Sequence, residues 1–379
     1  MKKILALFFS LIFSFSLVSC KNEKVNETKK IVDLVGREVE IPNEINRVVC
    51  IGAGALRLYS YIGDLDKLCG VEDVDKDNTG VGKMLSIRPY KLANNEIFNK
   101  LPSCGVGGPQ AQSPEAEKIL SCNPDIVFSL MKDVKTIDTL QSQIKKPVVV
   151  FDYGKTEAFD ETLYKSIDLM GKVLNKEERS NEVLTYIKNI ETNLNDMTKN
   201  ISDSEKPSMY IACQANWGSK GFESSTANYS IFDVSNIKNV LDKDFTGYQK
   251  EVDLEYLLKV NVPDKIVIDA SGLGIFKNQY ADKEKAKLYN SLKAFKNEEV
   301  YLQLPYNSYY TNLEIAYVDA YFNASISYPE LFKDIDINEK AKEIFEFFLG
   351  KDCFDATIKA LGYNFGKINL KETFPNYAK

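Results

Sequence analysis

The sequence predicts an α/β protein with two lobes of mainly parallel β-sheet, a single long helix that joins the lobes, and a cleft between them. Three observations support this prediction. Short apolar, β-branched runs alternate with helical segments, which is typical of parallel sheets covered by helices. The longest helical segment lies near the middle of the chain. A Pro-Asp turn into a strand occurs once in each half, at Pro124 and Pro263.

The composition limits the functions that are open to this chain. Its 379 residues suffice for two domains, and its 44% apolar and 27% charged residues are typical of a folded globular protein. The net charge of -6 provides no positive field for nucleic acid or an anionic membrane surface. Because the chain has no histidine, a Ser-His-Asp triad and a histidine-bound zinc or manganese site are excluded.

The first residues predict export from the cytoplasm. Lys2 and Lys3 precede an apolar run over 4–18, which is shorter than the roughly 20 residues that span a bilayer. We therefore assign residues 1–19 to a signal peptide. The closing Leu17-Val18-Ser19-Cys20 resembles the lipobox of bacterial lipoproteins, which implies a lipid anchor on Cys20; an uncleaved signal is the alternative.

The rest of the chain divides into four parts. Residues 20–30 are polar and predict a solvated tether, followed by an N-terminal lobe over 31–174, an interlobe helix over 175–200 and a C-terminal lobe over 201–379. The helix prediction rests on apolar residues at three- and four-residue steps between 183 and 194. The predicted strands are 47–51, 68–71, 125–130, 147–151, 208–212, 265–269 and 299–302.

The cysteines beyond Cys20 allow two interpretations. Export permits disulfide bonds, whereas the apolar neighbours of most of these residues favour buried free thiols. No CxxC spacing occurs, so a metal cluster is not indicated. The residues concerned are Cys50, Cys69, Cys104, Cys122, Cys213 and Cys353.

Several segments resemble a known family. The opening Ile31-Val-Asp-Leu-Val-Gly-Arg-Glu-Val-Glu-Ile-Pro42, with Arg47-Val48-Val49 and the turn Gly52-Ala53-Gly54, looks like that of substrate-binding proteins of bacterial ABC importers. The class in question is class III, which serves iron-siderophores, haem and cobalamin, and the resemblance covers about residues 30–350. The other matching motifs are Pro124-Asp-Ile-Val127, Lys176-Glu177-Glu178-Arg179, the second Pro-Asp at Pro263, and Tyr328-Pro329-Glu330-Leu331-Phe332.

The resemblance implies a fold and partners. It implies two Rossmann-like lobes joined by one long helix, a ligand between the lobes, and docking onto an ABC permease and its ATPase. The docking carboxylates of the family, one per lobe, match Glu117 and Glu255; ordinary solvated glutamates are the alternative. A monomeric binding protein without cofactor or catalytic residues is expected.

The first lobe offers two glycine-rich turns for ligand contact. The turn with Gly52 and Gly54 precedes a helix whose first turn carries Arg57, a candidate clamp for an oxyanion or a surface arginine. Because Arg57 stands at the third glycine position of a dinucleotide motif, NAD binding is rejected. The second turn, with Gly107, Gly108 and Gln110, faces either the cleft or the surface.

The second lobe offers aromatic loops. Trp217 lies in one loop, and Tyr306, Tyr309 and Tyr310 lie in another just before a helix predicted to begin at about Asn312. Thr311 and Glu314 predict a capping box for that helix. At least one of these tyrosines is expected to contact the ligand; the alternative is that they only pack the loop.

The absence of histidine selects among ligands of the class. An oxygen-coordinated ferric complex of siderophore type is expected, because Tyr, Arg and backbone N–H groups suit such a chelate. Haem or a corrinoid, with axial ligation by Tyr or Met, and a metal oxyanion are the alternatives. Two alternatives belong to other functional classes, a secreted carboxylate-based hydrolase and a lipid-anchored adhesin. Nothing in the spacing of the acidic residues identifies the catalytic carboxylate pair that such a hydrolase needs.

Overall fold

The structure is a computed structural model that describes residues 27–81, 87–108, 111, 113–155, 157–215, 217–374 and 377. The sheet of the first lobe has four parallel strands in the order β4-β3-β5-β6. Their β-branched residues are buried on both faces, as expected for a sheet covered by helices. The strands are β3 (Val48–Ile51), β4 (Leu68–Gly70), β5 (Ile126–Ser129) and β6 (Val148–Val150).

An antiparallel hairpin that the sequence analysis did not predict precedes this sheet, and its first strand includes residues 28–30, which were assigned to the end of the solvated tether over 20–30. Its strands are β1 (Thr28–Val32) and β2 (Glu38–Pro42), and β2 alternates exposed glutamates with buried Val39 and Ile41. The hairpin is joined to the sheet because the N–H of Leu34 donates to the carbonyl of Val150 at 3.0 Å.

Helices cover the first sheet and lead into the long interlobe helix. They are α1 (Ala55–Ile62), α2 (Pro89–Phe98), α3 (Ala116–Ser121), α4 (Val134–Ile144), α5 (Glu161–Leu174) and α6 (Glu177–Thr198). The 22-residue α6 is the long helix that the sequence predicted. It buries Val183, Ile187, Ile190 and Leu194, the predicted apolar stripe.

The second sheet has five strands in the order β13-β12-β11-β7-β9, parallel except for β13 at one edge. The prediction of two mainly parallel sheets is therefore confirmed. The strands are β7 (Ser208–Ala212), β9 (Lys238–Asn239), β11 (Lys265–Asp269), β12 (Val300–Gln303) and β13 (Gly366–Lys367), with a separate antiparallel pair β8 (Ser225–Ala227) and β10 (Gly247–Gln249).

The helices of the second lobe follow the same alternation up to β12 and then form a C-terminal group. They are α7 (Ser230–Asp233), α8 (Leu273–Ala281), α9 (Lys283–Ser291), α10 (Lys293–Lys296), α11 (Leu313–Ser327), α12 (Pro329–Phe332), α13 (Ile337–Leu349), α14 (Phe354–Leu361) and α15 (Leu370–Thr373). A π-helical turn spans Tyr256–Val260. None of the helices described here has the length and apolar character needed to cross a membrane.

The two Pro-Asp turns perform the same structural task in both lobes. Oδ2 of Asp125 accepts the backbone N–H of Arg47 at 2.9 Å, just before β3. Oδ2 of Asp264 accepts the N–H of Ser208 at 2.9 Å, at the start of β7. In each lobe the carboxylate thus fixes the beginning of the neighbouring parallel strand.

The C-terminal helices connect the second lobe to the first. One hydrophobic core contains residues of both sheets together with α1, α6, α11 and α13. Phe348 packs edge-on against Tyr61 at 5.1 Å between ring centroids. Arg179 at the start of α6 donates to the carbonyl of Phe347 at 2.7 Å. The relative position of the lobes is therefore set by packing as well as by the single connecting helix.

The described cysteines are buried and free, which confirms the thiol interpretation. Burial raises the pKa of the Cys69 thiol to about 11, so it is protonated at neutral pH. These residues act as small apolar side chains of the core.

Candidate functional site

Residues that follow the carboxyl ends of β3, β4 and β12 lie close together, and ligands of open α/β sheets bind at such strand ends. The glycine turn 52–54 follows β3, the glycine loop 105–108 belongs to the same lobe, and the tyrosine loop 306–311 follows β12. These three segments meet. The N–H of Gly108 donates to the hydroxyl of Tyr309 at 2.9 Å, and the hydroxyl of Tyr153, whose ring stacks on Tyr310, donates to the carbonyl of Gly54 at 3.3 Å. We call this meeting place the interlobe seam.

The glycine turn has a backbone conformation that requires glycine. Gly52 and Gly54 both have φ near 83°, in the left-handed region where a Cβ is unfavourable. A Cβ at Gly54 would also lie 2.7 Å from the ring of Tyr153. The same ring stacks on Tyr310 at 5.2 Å between centroids. The ring of Tyr153 therefore lies between Gly54 of the first lobe and Tyr310 of the second lobe and contacts both.

Arg57 has a role that differs from the predicted clamp. It is fully buried. Its Nη1 donates to the carbonyls of Tyr309 at 2.9 Å and Thr311 at 3.1 Å, and its Nη2 donates to that of Ser308 at 2.6 Å. Because protein carbonyls occupy these donors, Arg57 links helix α1 to the tyrosine loop instead of presenting a free guanidinium to an oxyanion.

Glu72 is a seam residue that the sequence analysis missed. It lies just after β4, its Oε2 accepts the N–H of Gly52 at 3.0 Å, and its carboxyl interacts electrostatically with the Tyr309 phenol. Burial, followed by the negative charge of Asp75, raises the pKa of Glu72 to about 8. Its place at the carboxyl end of a predicted strand was the available signal.

A buried ion pair lies beside Glu72. Nη1 of Arg88 is 3.0 Å from Oδ1 of Asp75, and the Tyr90 hydroxyl donates to the same oxygen. The guanidinium of Arg88 also lies 5.3 Å from the ring centroid of Tyr309, a cation–π distance. The first lobe therefore presents charged groups to the tyrosine loop.

The tyrosine loop is strained and firmly held. Tyr309 and Tyr310 have φ of 56° and 66°, which costs about 1–2 kcal/mol for each non-glycine residue. The side-chain amide of Asn312 donates to the carbonyl of Tyr306 at 2.9 Å. Tyr309 and Tyr310 lie at the seam, whereas Tyr306 is buried inside the second lobe beside Gln214 at 3.4 Å.

The helix after this loop begins as predicted, but its predicted capping box is wrong. The N-terminal capping position of α11 is Asn312, without a side-chain cap. Glu314 instead accepts the hydroxyl of Tyr61 from the first lobe. The hydroxyl of Thr311 has no hydrogen-bond partner within the described part of the chain.

The remaining predicted residues fall at different places. Trp217 is 74% exposed, and its loop is joined to the tyrosine loop because Asn307 donates to the carbonyl of Ala215 at 2.6 Å. Gln110 and Cys20 lie outside the described residues. Glu117 in α3 and Glu255 are exposed on different lobes, and Glu255 pairs with Lys259 at 3.1 Å.

Comparison with known proteins gives a family and a fold. The family model described as "Periplasmic binding protein" matches residues 48–305. A periplasmic solute-binding protein of Veillonella parvula has a TM-score of 0.67 and 17% identity, covering 93% of this chain and 100% of that one. The molybdate-binding protein MolA of Haemophilus influenzae has a TM-score of 0.63 and 20% identity, covering 86% and 98%.

Another similar structure is CeuE of Helicobacter pylori in a nickel-histidine complex, with a TM-score of 0.54 and 19% identity, covering 88% of this chain and 98% of that one. A search of curated proteins gives no match. At these identities the structures support the fold, and the match to the family model covers most of the chain. The chain therefore belongs to the periplasmic binding protein family, whose members are the extracytoplasmic solute-binding components of ABC transporters.

Proposed function

We propose that this protein captures a ferric siderophore-type chelate in the interlobe seam and delivers it to an ABC permease, without making or breaking covalent bonds. The observation that carries the proposal is the convergence of Glu72, Tyr309 and two glycine segments at one place. Carboxyl and phenol oxygens are hard groups that suit ferric complexes, and the chain has no histidine for softer metals.

The aromatic residues favour an organic chelate over a bare ion. Tyr153 and Tyr310 form a stacked pair at the seam, and the exposed indole of Trp217 lies on the adjoining loop. Aromatic surfaces with a few placed polar groups are typical of small-molecule sites. A chelate would place its organic periphery against these rings and its polar face toward the glycine segments.

Ligand entry requires the tyrosine loop to move. In the structure the Tyr309 hydroxyl accepts the N–H of Gly108 and so closes the seam at this point. One such hydrogen bond contributes only about 0.5–1.5 kcal/mol, which a bound ligand can replace. The three bonds from Arg57 hold the backbone of the same loop, so we expect the Tyr309 side chain to move more than its backbone.

The single tryptophan provides a direct binding assay. We expect a ferric chelate to quench the fluorescence of Trp217, whereas the iron-free chelator at the same concentration does not. The panel contains ferric hydroxamate and catecholate chelates, haem, cobalamin, free cations and molybdate. The variant Trp217→Phe loses the signal if the indole reports binding at the seam.

Thermal unfolding gives an independent readout of the same panel. A ligand at a hundredfold excess over its Kd stabilises the folded state by about 2.7 kcal/mol. A ferric chelate that produces both signals supports the proposal. If haem, cobalamin or molybdate shifts the transition while every ferric chelate leaves both signals unchanged, the iron proposal is wrong.

Delivery needs an anchor and a docking surface. We propose that Cys20 carries a lipid, that the protein acts as a monomer, and that Glu117 and Glu255 contact the permease. The two glutamates support this because both are exposed and each lies on a different lobe. Metabolic labelling with a fatty-acid analogue tests the anchor: wild type should be labelled and Cys20→Ala should not.

A further inference from the structure

Glu72 links the three segments of the interlobe seam. The residue is 7% exposed. Its Oε2 accepts the N–H of Gly52 at 3.0 Å, and its carboxyl interacts electrostatically with the phenol of Tyr309. A Cβ at Gly107 would lie 2.7 Å from the carboxyl carbon of Glu72, so the glycine loop is closely fitted around this group. The site is built around one carboxyl group.

The position of Glu72 is one that attracts negative charge. Gly52 precedes helix α1, and the N-terminal end of a helix favours anions because of its dipole and its N–H groups. In this protein a carboxyl group of the chain accepts the N–H of Gly52. An oxyanion ligand would have to compete with Glu72 for the same donor.

The other charges near Glu72 are largely compensated. Arg88 forms an ion pair with Asp75, and Arg57 donates to carbonyls of the tyrosine loop. Asp75 and Glu115 both repel a negative charge on Glu72. Among the described residues Glu72 has no salt-bridge partner, so a positive group from a ligand would supply the missing counter-charge.

We propose that Glu72 is a specificity-determining residue that favours ligands with a cationic or hydrogen-bond-donating face and disfavours oxyanions. The inference rests on the proposed function, since it concerns the ligand of the same seam. Among ferric chelates it favours a neutral or cationic hydroxamate over a trianionic catecholate, because Glu72 in its ionised form repels the latter.

The protonation of Glu72 provides a second test. Since its pKa is about 8 in the closed seam, a cationic ligand that needs the carboxylate releases a proton on binding. Its affinity rises with pH, whereas that of an oxyanion, which needs the protonated group, falls. Each affinity should change about tenfold between about pH 7 and about pH 9, in opposite directions.

The experiment is isothermal titration calorimetry with three probes across this pH range. The probes are ferrioxamine B, which carries a pendant ammonium group, a trianionic ferric tris-catecholate, and molybdate. Wild type should bind ferrioxamine B most tightly, with the rising pH profile. The variant Glu72→Gln should lose both pH profiles and bind molybdate at least about tenfold more tightly than wild type at about pH 9. Glu96→Gln, the same change on an exposed position of α2, should behave as wild type.

Several outcomes overturn the proposal. Wild-type pH profiles in Glu72→Gln, or molybdate binding by wild type that does not change with pH, would show that Glu72 does not select the ligand. Should Glu72→Gln fail to fold, wild type decides the matter in buffers of different ionisation enthalpy. Release of about one proton with ferrioxamine B near pH 7 supports the proposal, and no release contradicts it.

One result separates this inference from the proposed function. Suppose that wild type binds neither ferric chelate but binds molybdate, with an affinity that falls about tenfold toward high pH. The ferric proposal would then be wrong, while the role of Glu72 as the group that opposes an oxyanion would be supported.

Discussion

The two sides of the interlobe seam are built from different chemistry. The first lobe contributes fixed backbone turns and buried ionisable groups: Glu72, the Asp75–Arg88 pair and Arg57. The second lobe contributes rings on a strained loop, and behind them a buried polar cluster in which Gln214 donates to Asp269 at 2.8 Å. The difference indicates that the first lobe supplies most of the ionisable groups at the seam, whereas the second lobe supplies aromatic rings on a loop that Arg57 holds in place.

The largest expected effect on stability comes from removing the guanidinium of Arg57, which joins the two sides of the seam. Arg57→Met deletes three hydrogen bonds to the tyrosine loop and leaves the buried carboxyl of Glu314 without its nearby cation. We expect the free energy of unfolding to fall by about 3–5 kcal/mol, measured by urea denaturation.

The variant Arg57→Lys separates charge from geometry at this position. A lysine keeps the positive charge, but one ammonium group cannot reproduce the planar fork that reaches three carbonyls. We expect a loss roughly half that of Arg57→Met. Equal losses in the two variants would show that charge contributes nothing here, and a loss below about 1 kcal/mol for Arg57→Met would contradict the bridging role.

This bridge also shows where sequence reasoning stops. Strands, the long helix, the glycine turns and the tyrosine loop follow from local patterns that the sequence displays. The partners of Arg57 lie about 252 residues away along the chain, so no local pattern reveals that its donors are occupied. The same distance explains the failed capping box, because Tyr61 of the first lobe takes the side chain of Glu314.

Glu72 was missed for a related reason. Its burial depends on Gly107 and on Tyr309, and the latter belongs to the opposite lobe. The hairpin β1–β2 was missed because its strands are half exposed and precede the alternation of strands and helices on which the prediction relied. In both cases the deciding contacts are tertiary.

The next largest effect on the free energy of unfolding is expected from the glycine turn on the first-lobe side of the seam. Gly54→Ala places a Cβ in left-handed backbone and 2.7 Å from the Tyr153 ring, which disturbs the stack with Tyr310. We expect a loss of about 2–4 kcal/mol in the free energy of unfolding, from backbone strain and overpacking together. Chemical denaturation gives this value.

Gly36→Ala is the matched control for that substitution. Gly36 has φ of 81°, but a Cβ there would have nothing within 4 Å. Its loss should be only the backbone term of about 1–2 kcal/mol. The difference between the two variants measures the aromatic contact, and equal losses would mean that Tyr153 moves away without cost.

The pH dependence of stability compares buried carboxyl groups on the two sides of the seam. Its effect on the free energy of unfolding, per pH unit, is smaller than that of the substitutions above. Burial raises the pKa of Asp269 to about 6 and that of Glu72 to about 8. A carboxyl with a raised pKa in the folded state binds its proton more tightly when folded. Its contribution is therefore complete at low pH and is lost as the pH rises through the folded-state pKa.

We expect the free energy of unfolding, measured from about pH 4 to about pH 9, to decline over two overlapping pH ranges, by up to about 1.4 kcal/mol per pH unit for each of these two carboxyl groups. Asp269→Asn should flatten the decline that ends near pH 6, and Glu72→Gln the decline that extends to about pH 8. A single window removed by both variants would indicate that the two sides titrate as one coupled group.

The smallest change in stability is expected for substitutions on the outer surfaces of the lobes. These substitutions test whether both lobes contribute equally to recognition by the permease. Glu117 and Glu255 are exposed on different lobes, so Glu117→Arg and Glu255→Arg should change the free energy of unfolding by less than about 0.5 kcal/mol. Ligand affinity should stay at the wild-type value, while uptake through the permease should fall at least about tenfold, since a reversed charge repels the partner that the carboxylate attracts. Glu284→Arg, on the exposed surface of α9, controls for the added positive charge. If only one of the two glutamate variants impairs uptake, the permease depends on one lobe for recognition, and the asymmetry of the seam extends to the outer surface.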